Sequence, residues 1–107
     1  MKYKVVIDSM AKRDLGEIFE YVSLNDSFED ANKLLDSIED SLSSLEEFPE
    51  RGHLPNELRG LGIKKYLEIF YKPYRILYEI RDKIVYIHSV LDGRRNINDI
   101  LSNRILR

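Results

Sequence analysis

Two apolar stripes at helical spacing, four residues apart and followed by three strand-like runs, constrain this chain more than any other feature. Ala11, Leu15, Ile18, Phe19 and Val22 fall at i, i+4, i+7, i+8 and i+11, which is one face of a 3.6-residue period. Asp14, Glu17 and Glu20 are read as facing away. Leu24-Asn25-Asp26-Ser27 breaks the pattern, and Asp26 with Glu29 three residues on has the form of a capping box that opens a second helix. Phe28, Ala31, Leu35, Ile38, Leu42 and Leu45 then alternate spacings of three and four, and the stripe runs to Phe48, where Pro49 stops it. Neither stripe can be left in water. The pair therefore predicts an antiparallel helical hairpin that needs a second layer to cover it.

The strand-like runs supply that layer. Tyr3 to Ile7 is a short β-branched and aromatic run ending at Asp8-Ser9, either of which can cap the first helix. Residues 49–62 hold three of the five glycines and two of the three prolines and read as a loop. Beyond it, Ile63 to Phe70, Tyr74 to Arg81 and Ile84 to Leu91 are rich in Ile, Val and Tyr, with hairpin-sized gaps between them. Ile97, Ile100, Leu101 and Ile105 have helical spacing and predict a short C-terminal helix. The expectation is an α+β fold of order β-α-α-β-β-β, with the hairpin on one face of an antiparallel sheet. Residues 1–107 suit a single domain.

Alternation along the middle run places Tyr74, Ile76, Tyr78 and Ile80 beneath the helices, and Arg75, Leu77, Glu79 and Arg81 on the opposite face. On the last run the pattern fits either face, so the side occupied by His88 stays open. Charge is segregated along the chain: +3 over residues 1–13, −11 over 14–50 and +6 over 51–107, consistent with the net −2. The basic excess thus lies on the sheet half, which suits an anionic partner. With no cysteine, disulfide and thiolate chemistry are excluded, and a metal site would depend on His53, His88 and carboxylates. No spacing suggests a metal or a cofactor. No apolar run spans a bilayer and no secretory stretch opens the chain, so a cytoplasmic location is expected.

Chemistry would rest on dispersed residues. Arg75 can fork a phosphate or carboxylate through parallel hydrogen bonds, or it can pair with Glu79 or Glu68 across the sheet. His88 titrates near neutrality, yet a lone strand histidine is more often a half-buried packing residue. Arg94-Arg95 can meet an acidic partner or a phosphate backbone, or can be solvated residues of the turn that begins at Asp92-Gly93.

Four segments in this order, Ala11 to Tyr21, Phe48-Pro-Glu-Arg-Gly52, Tyr74-Arg-Ile-Leu-Tyr78 and Asp92-Gly-Arg-Arg95, resemble the RelE/ParE toxin superfamily across nearly the whole chain. The resemblance implies the toxin of a type II toxin–antitoxin pair, held inactive by a cognate antitoxin protein. RelE-type members cut mRNA on the ribosome by driving a 2′-hydroxyl onto the adjacent phosphate, which needs a base, a phosphate-binding cation and an acid. By that resemblance Arg75 is the phosphate-binding arginine and His88 the one candidate acid. ParE-type members keep the arginine but block DNA gyrase by binding it. No His or Tyr follows His88 and the pI is near 5.7, so the ParE-like branch is favoured, with Arg75, Arg81, Arg94 and Arg95 as candidates for binding antitoxin or target. A non-toxic antitoxin-binding adaptor of the same fold is the third reading.

Overall fold

The computed structural model describes residues 2–106. The first stripe forms α1 (Ser9–Asn25) and the second forms α2 (Phe28–Ser43), which ends in a 3-10 turn over Ser44–Glu46. The second helix starts one residue later than the capping-box reading implied. Ser27, not Asp26, is the N-cap, and its hydroxyl accepts from the Asp30 amide at 3.0 Å. Ala11, Ile38, Leu42 and Leu45 are buried on the sheet, whereas Phe28 remains largely exposed and stacks edge-on with Phe19. Phe28 at the first position of α2 and Phe48 beyond its end are both exposed, and Leu35 is half-buried, so the sheet buries the middle of the stripe.

The strands are β1 (Lys4–Ile7), β2 (Tyr66–Tyr71), β3 (Tyr74–Arg81) and β4 (Ile84–Asp92), in the spatial order β1-β4-β3-β2. Tight turns make β2, β3 and β4 an antiparallel meander. At the second turn Asp82 adopts a left-handed conformation, φ 58°, which aspartate tolerates better than most residues. Here the expectation of an all-antiparallel sheet needs correction, because β1 pairs in parallel with β4. A strand returned by a helical hairpin has no tight turn to fix its direction, so the sequence pattern left its orientation undetermined.

A β-bulge sits in β4. Leu77 pairs with Ser89 while Tyr78 pairs with Ile87, which leaves His88 as the extra residue. The bulge shifts the alternation by one. Val85, Ile87 and Val90 consequently all pack in the helix-side core, while Leu91 faces the opposite side. This phase change is why simple alternation could not orient the strand.

The opposite face is also covered. A four-residue helix inside the expected loop, α3 (Asn56–Arg59), and the C-terminal helix α4 (Ile97–Arg104) bury Leu58, Ile97 and Leu101 against Tyr66, Leu77 and Leu91. Leu77, which alternation placed on the face away from the hairpin beside Arg75, Glu79 and Arg81, is fully buried in this second core. The helical hairpin thus has a smaller counterpart across the sheet. No helix among the described residues is long and apolar enough to cross a membrane.

Candidate functional site

The Arg75 side chain leaves the middle of the sheet on the α3–α4 side and is only 13% exposed. Its Nη1 and Nη2 donate to the two oxygens of Glu57 at 2.8 and 2.7 Å, a parallel fork. Nε and Nη2 donate to Glu68 Oε2 at 3.1 and 2.7 Å. Glu68, on β2, is buried, and its other oxygen lies 3.2 Å from His53 Nε2. The hydrogen bonds it donates to Glu57, then those to Glu68, hold the guanidinium even more firmly protonated than usual. Reciprocally, Arg75 holds the Glu57 carboxyl below its ordinary range. Of the two ion-pair partners considered from sequence, Glu68 is the one engaged. Glu79 instead lies 3.5 Å from Arg81, and Glu57 was missed because a carboxylate in a Pro/Gly-rich loop has no periodic position to mark it.

The same cluster explains two of the short sequence motifs. Tyr78 sends its hydroxyl across the core to donate to the Pro49 carbonyl at 2.7 Å and to accept from the Gly52 amide at 3.0 Å. A β-carbon at residue 52 would stand 2.5 Å from that hydroxyl and 2.7 Å from the Glu68 carbonyl oxygen, so this loop needs glycine. His53 then bridges to Glu68 through both backbone groups. Pro49 to Gly52 is therefore the segment that ties the loop to β3. Gly93 plays a similar part: its amide donates to Pro73 at 2.8 Å, and a β-carbon would meet that carbonyl at 2.9 Å and the Arg75 stem at 3.3 Å.

His88, the bulge residue, lies on the α3–α4 side with its ring edge-on to Tyr66 and its Nδ1 2.7 Å from Ser89 Oγ. Burial first, and then the nearby Arg104 cation, depress its pKa and favour the neutral imidazole. Arg104 itself forks Asp14, Nη1 to Oδ2 and Nη2 to Oδ1, both at 2.8 Å. Asp14 does not face away as the periodicity suggested; it is 3% exposed. Its Oδ2 accepts from the Val90 amide at 2.9 Å. The reason is topological. β1 ends opposite Ile87, so β4 runs on without a ladder partner on that edge, and Asp14 on α1 satisfies the amide left bare there. A signal existed in the sequence, since Asp14 stands three residues after Ala11 and four before Ile18, inside the stripe.

The four candidate arginines are not gathered into one site. Arg81 lies at the far end of β3, six residues and so roughly 20 Å from Arg75, with its guanidinium 4.0 Å over the Tyr86 ring. Arg94 and Arg95 lie together on the turn after β4, on the rim of a cavity of about 370 Å³ between α1 and the β3–β4 sheet. Its apolar wall is Ile18, Tyr21, Tyr74 and Val90. Asp92 holds Arg94 by a fork, Nε to Oδ1 at 2.9 Å and Nη2 to Oδ2 at 2.7 Å. This contact holds the Asp92 carboxyl below its usual range. Among the described residues no group of three or more His, Asp or Glu could hold a metal.

This geometry can be set beside known proteins. The ParE toxin family of the type II parDE toxin–antitoxin system matches residues 5–97. The chain belongs to that family. It is 32% identical over 84 residues to toxin ParE3 of Caulobacter vibrioides, an alignment spanning 78% of this chain and 80% of the relative. The ParE-type fold recurs in the chromosomal ParDE system of Pseudomonas aeruginosa, with a TM-score of 0.72, 14% identity and coverage of 83% of this chain and 94% of that one. An arginine-to-alanine double variant of the Escherichia coli toxin RelE in the free state gives a TM-score of 0.64 at 18% identity, covering 100% and 98%. The RelBE2 toxin–antitoxin complex of Mycobacterium tuberculosis gives 0.57 at 24%, covering 84% and 96%. At these identities the solved structures speak for the fold shared by ParE and RelE proteins. The branch is indicated by the family match and by the Caulobacter relative.

Proposed function

We propose that this ParE-family protein is a toxin that arrests growth by binding DNA gyrase, and that a cognate antitoxin protein neutralises it. The observation that carries the choice over mRNA cleavage is the state of Arg75. A ribonuclease of this fold would need that guanidinium at the scissile phosphate, where charge develops in the transition state. Here two carboxylates already take its Nε and both terminal nitrogens. A phosphate approaching the same edge would meet two negative charges as well as one positive one. His88 is poorly suited to be the acid, because burial and the Arg104 cation lower its pKa and so disfavour the imidazolium that would protonate a leaving oxygen. Inhibition by binding needs neither group at a phosphate. The membership of the ParE family supports the same reading.

The test compares purified protein in a gyrase supercoiling assay and in a translating-ribosome cleavage assay. The expected result is stoichiometric loss of supercoiling and intact mRNA. Ribosome-dependent cuts that disappear on His88→Ala would overturn the proposal in favour of the RelE-type reading.

A further inference from the structure

The two small helices α3 and α4 cover only part of their face of the sheet, over Tyr66, Leu77 and Leu91. At the other end of that face, strand register lines up two rows that no helix covers. Lys4 on β1 stands beside Ile84 on β4, which stands beside Arg81 on β3; one step inward, Val6 stands beside Tyr86 and Tyr86 beside Glu79. Val6, Ile84 and Tyr86 are half-buried and belong to neither core, so they form an apolar strip across β1 and β4. Cations frame it. Lys4 is exposed and makes no ion pair with the described residues, and Arg81 reaches Glu79 only through Nε at 3.5 Å. The exposed Lys65 lies 5.2 Å over the Tyr66 ring, beside Glu79. Three cations against the one carboxylate of Glu79 make this end of the sheet positive in a chain whose net charge is −2.

We infer that this strip is the surface that grips gyrase, taking an acidic segment of the enzyme in which an aliphatic side chain lies between carboxylates. The inference rests on the gyrase reading above and adds the surface that performs it. The aliphatic side chain packs on Val6, Ile84 and Tyr86, while carboxylates meet Lys4 on one side and the terminal nitrogens of Arg81 on the other, two strands and so roughly 10 Å apart. Arg81 is prepared for this task. Its guanidinium already lies 4.0 Å over the Tyr86 ring, so less side-chain freedom is lost when the partner arrives. Two observations favour a protein segment over a nucleic acid. Single-stranded bases bind by stacking on open aromatic faces, whereas here Arg81 covers Tyr86, and Tyr66 is flanked by Lys65 and the His88 ring. A phosphate backbone, charged at every step, would also pass Glu79, whereas a peptide can place its carboxylates at the two ends and an apolar residue between them.

The experiment titrates the full chain into a gyrase supercoiling assay and measures its association with immobilised gyrase over a salt series, with a single-stranded DNA oligonucleotide as a second probe. It compares the parent, a Lys4→Glu/Arg81→Glu double variant, Ile84→Ser, and Lys12→Glu/Lys33→Glu, which makes the same change of net charge at exposed positions of the two long helices. Thermal melts check that each variant folds, and Ile84→Ser keeps the test valid if the charge reversal does not. Charge reversal on the strip should raise the half-inhibitory concentration at least about tenfold, slow association and flatten its salt dependence. Ile84→Ser should weaken inhibition about fivefold, mainly through faster dissociation, while the helix variant stays within about twofold. If the parent inhibits gyrase and both strip variants inhibit equally well, the enzyme docks elsewhere and this inference fails while the gyrase reading stands. If the helix variant loses as much as the strip variant, net charge rather than this surface is at work, and the inference fails likewise. Tight binding of the oligonucleotide by the parent, lost on charge reversal together with inhibition, would make the strip a nucleic-acid site and overturn the choice of occupant. If the parent leaves supercoiling intact, both readings fail.

Discussion

The two faces of the sheet are held by different physics. On the hairpin side, Ala11, Ile38, Leu42, Ile76 and Ile87 interlock as aliphatic packing with little polar content. On the α3–α4 side the apolar core is small, and two arginine forks fasten it: Arg75 to Glu57 and Glu68, and Arg104 to Asp14. A short helix buries too little apolar surface to dock by itself, so directed charge–charge hydrogen bonds supply the register. Aliphatic packing is degenerate and tolerant of repacking, whereas a buried fork fails as soon as one partner is removed. Substitutions on the two faces should therefore differ in kind as well as in size.

The largest effect is expected at the Arg104 fork. Asp14→Ala leaves the Arg104 guanidinium without its carboxylate, keeping only Ser89 Oγ at 3.0 Å, and the Val90 amide without its acceptor, and should destabilise by about 3–5 kcal/mol in urea titration. The double variant Asp14→Leu/Arg104→Met should recover most of that loss, falling short by about 1–3 kcal/mol for the Val90 amide. A loss of stability in the double variant equal to the single one would show that the fork itself, rather than the orphaned charge, is what matters. On the other face, Ile38→Ala should cost about 2–5 kcal/mol as a buried large-to-small change. A value below about 0.5 kcal/mol would mean that α2 does not pack on the sheet as described.

Tyr78→Phe probes the join between the two regimes, because this core tyrosine reaches from the hairpin-side packing to the Pro49–Gly52 segment. It should cost about 1–3 kcal/mol and raise hydrogen exchange at the Gly52 amide. The smallest expected effect concerns pH. Arg75 holds the Glu57 carboxyl below its ordinary value of 4.5, so the folded state gives up this proton more readily than the unfolded chain. The stability it contributes is complete above that ordinary value and is lost as pH falls through the lower folded one. Glu57→Gln should therefore flatten the stability–pH curve below about pH 4.5, read from urea midpoints across an acid series. An unchanged curve would separate Glu57 from the Arg75 cluster.

How much could be read beforehand follows the same division. The helical stripes, the three-strand meander and the helix-facing set of Tyr74, Ile76, Tyr78 and Ile80 were legible, because aliphatic burial writes a period into the chain. The forks write none. Glu57 sits in a Pro/Gly-rich loop, Arg104 is ninety residues from Asp14, and a carboxylate inside a helical stripe reads as solvent-facing until the truncated β1 is seen to leave Val90 bare. The β4 bulge hid the side taken by His88 by shifting the phase of alternation. Similarly, the pairing of β1 depends on a long connection whose direction local pattern does not encode. For the candidate site, the type of residue was visible in Arg75, Arg94 and Arg95, but only three-dimensional contacts separate a clamped guanidinium from one on a pocket rim.

The central claim is that Arg75 fastens the fold and takes no part in chemistry at a phosphate. A supercoiling-inhibition titration with Arg75→Met/Glu57→Gln/Glu68→Gln, in which the whole charged cluster is neutralised together, tests it most directly. The account predicts a cooperative melt and inhibition within about threefold of the parent, under 1 kcal/mol. A variant that melts cooperatively yet loses inhibition by more than about tenfold would contradict it.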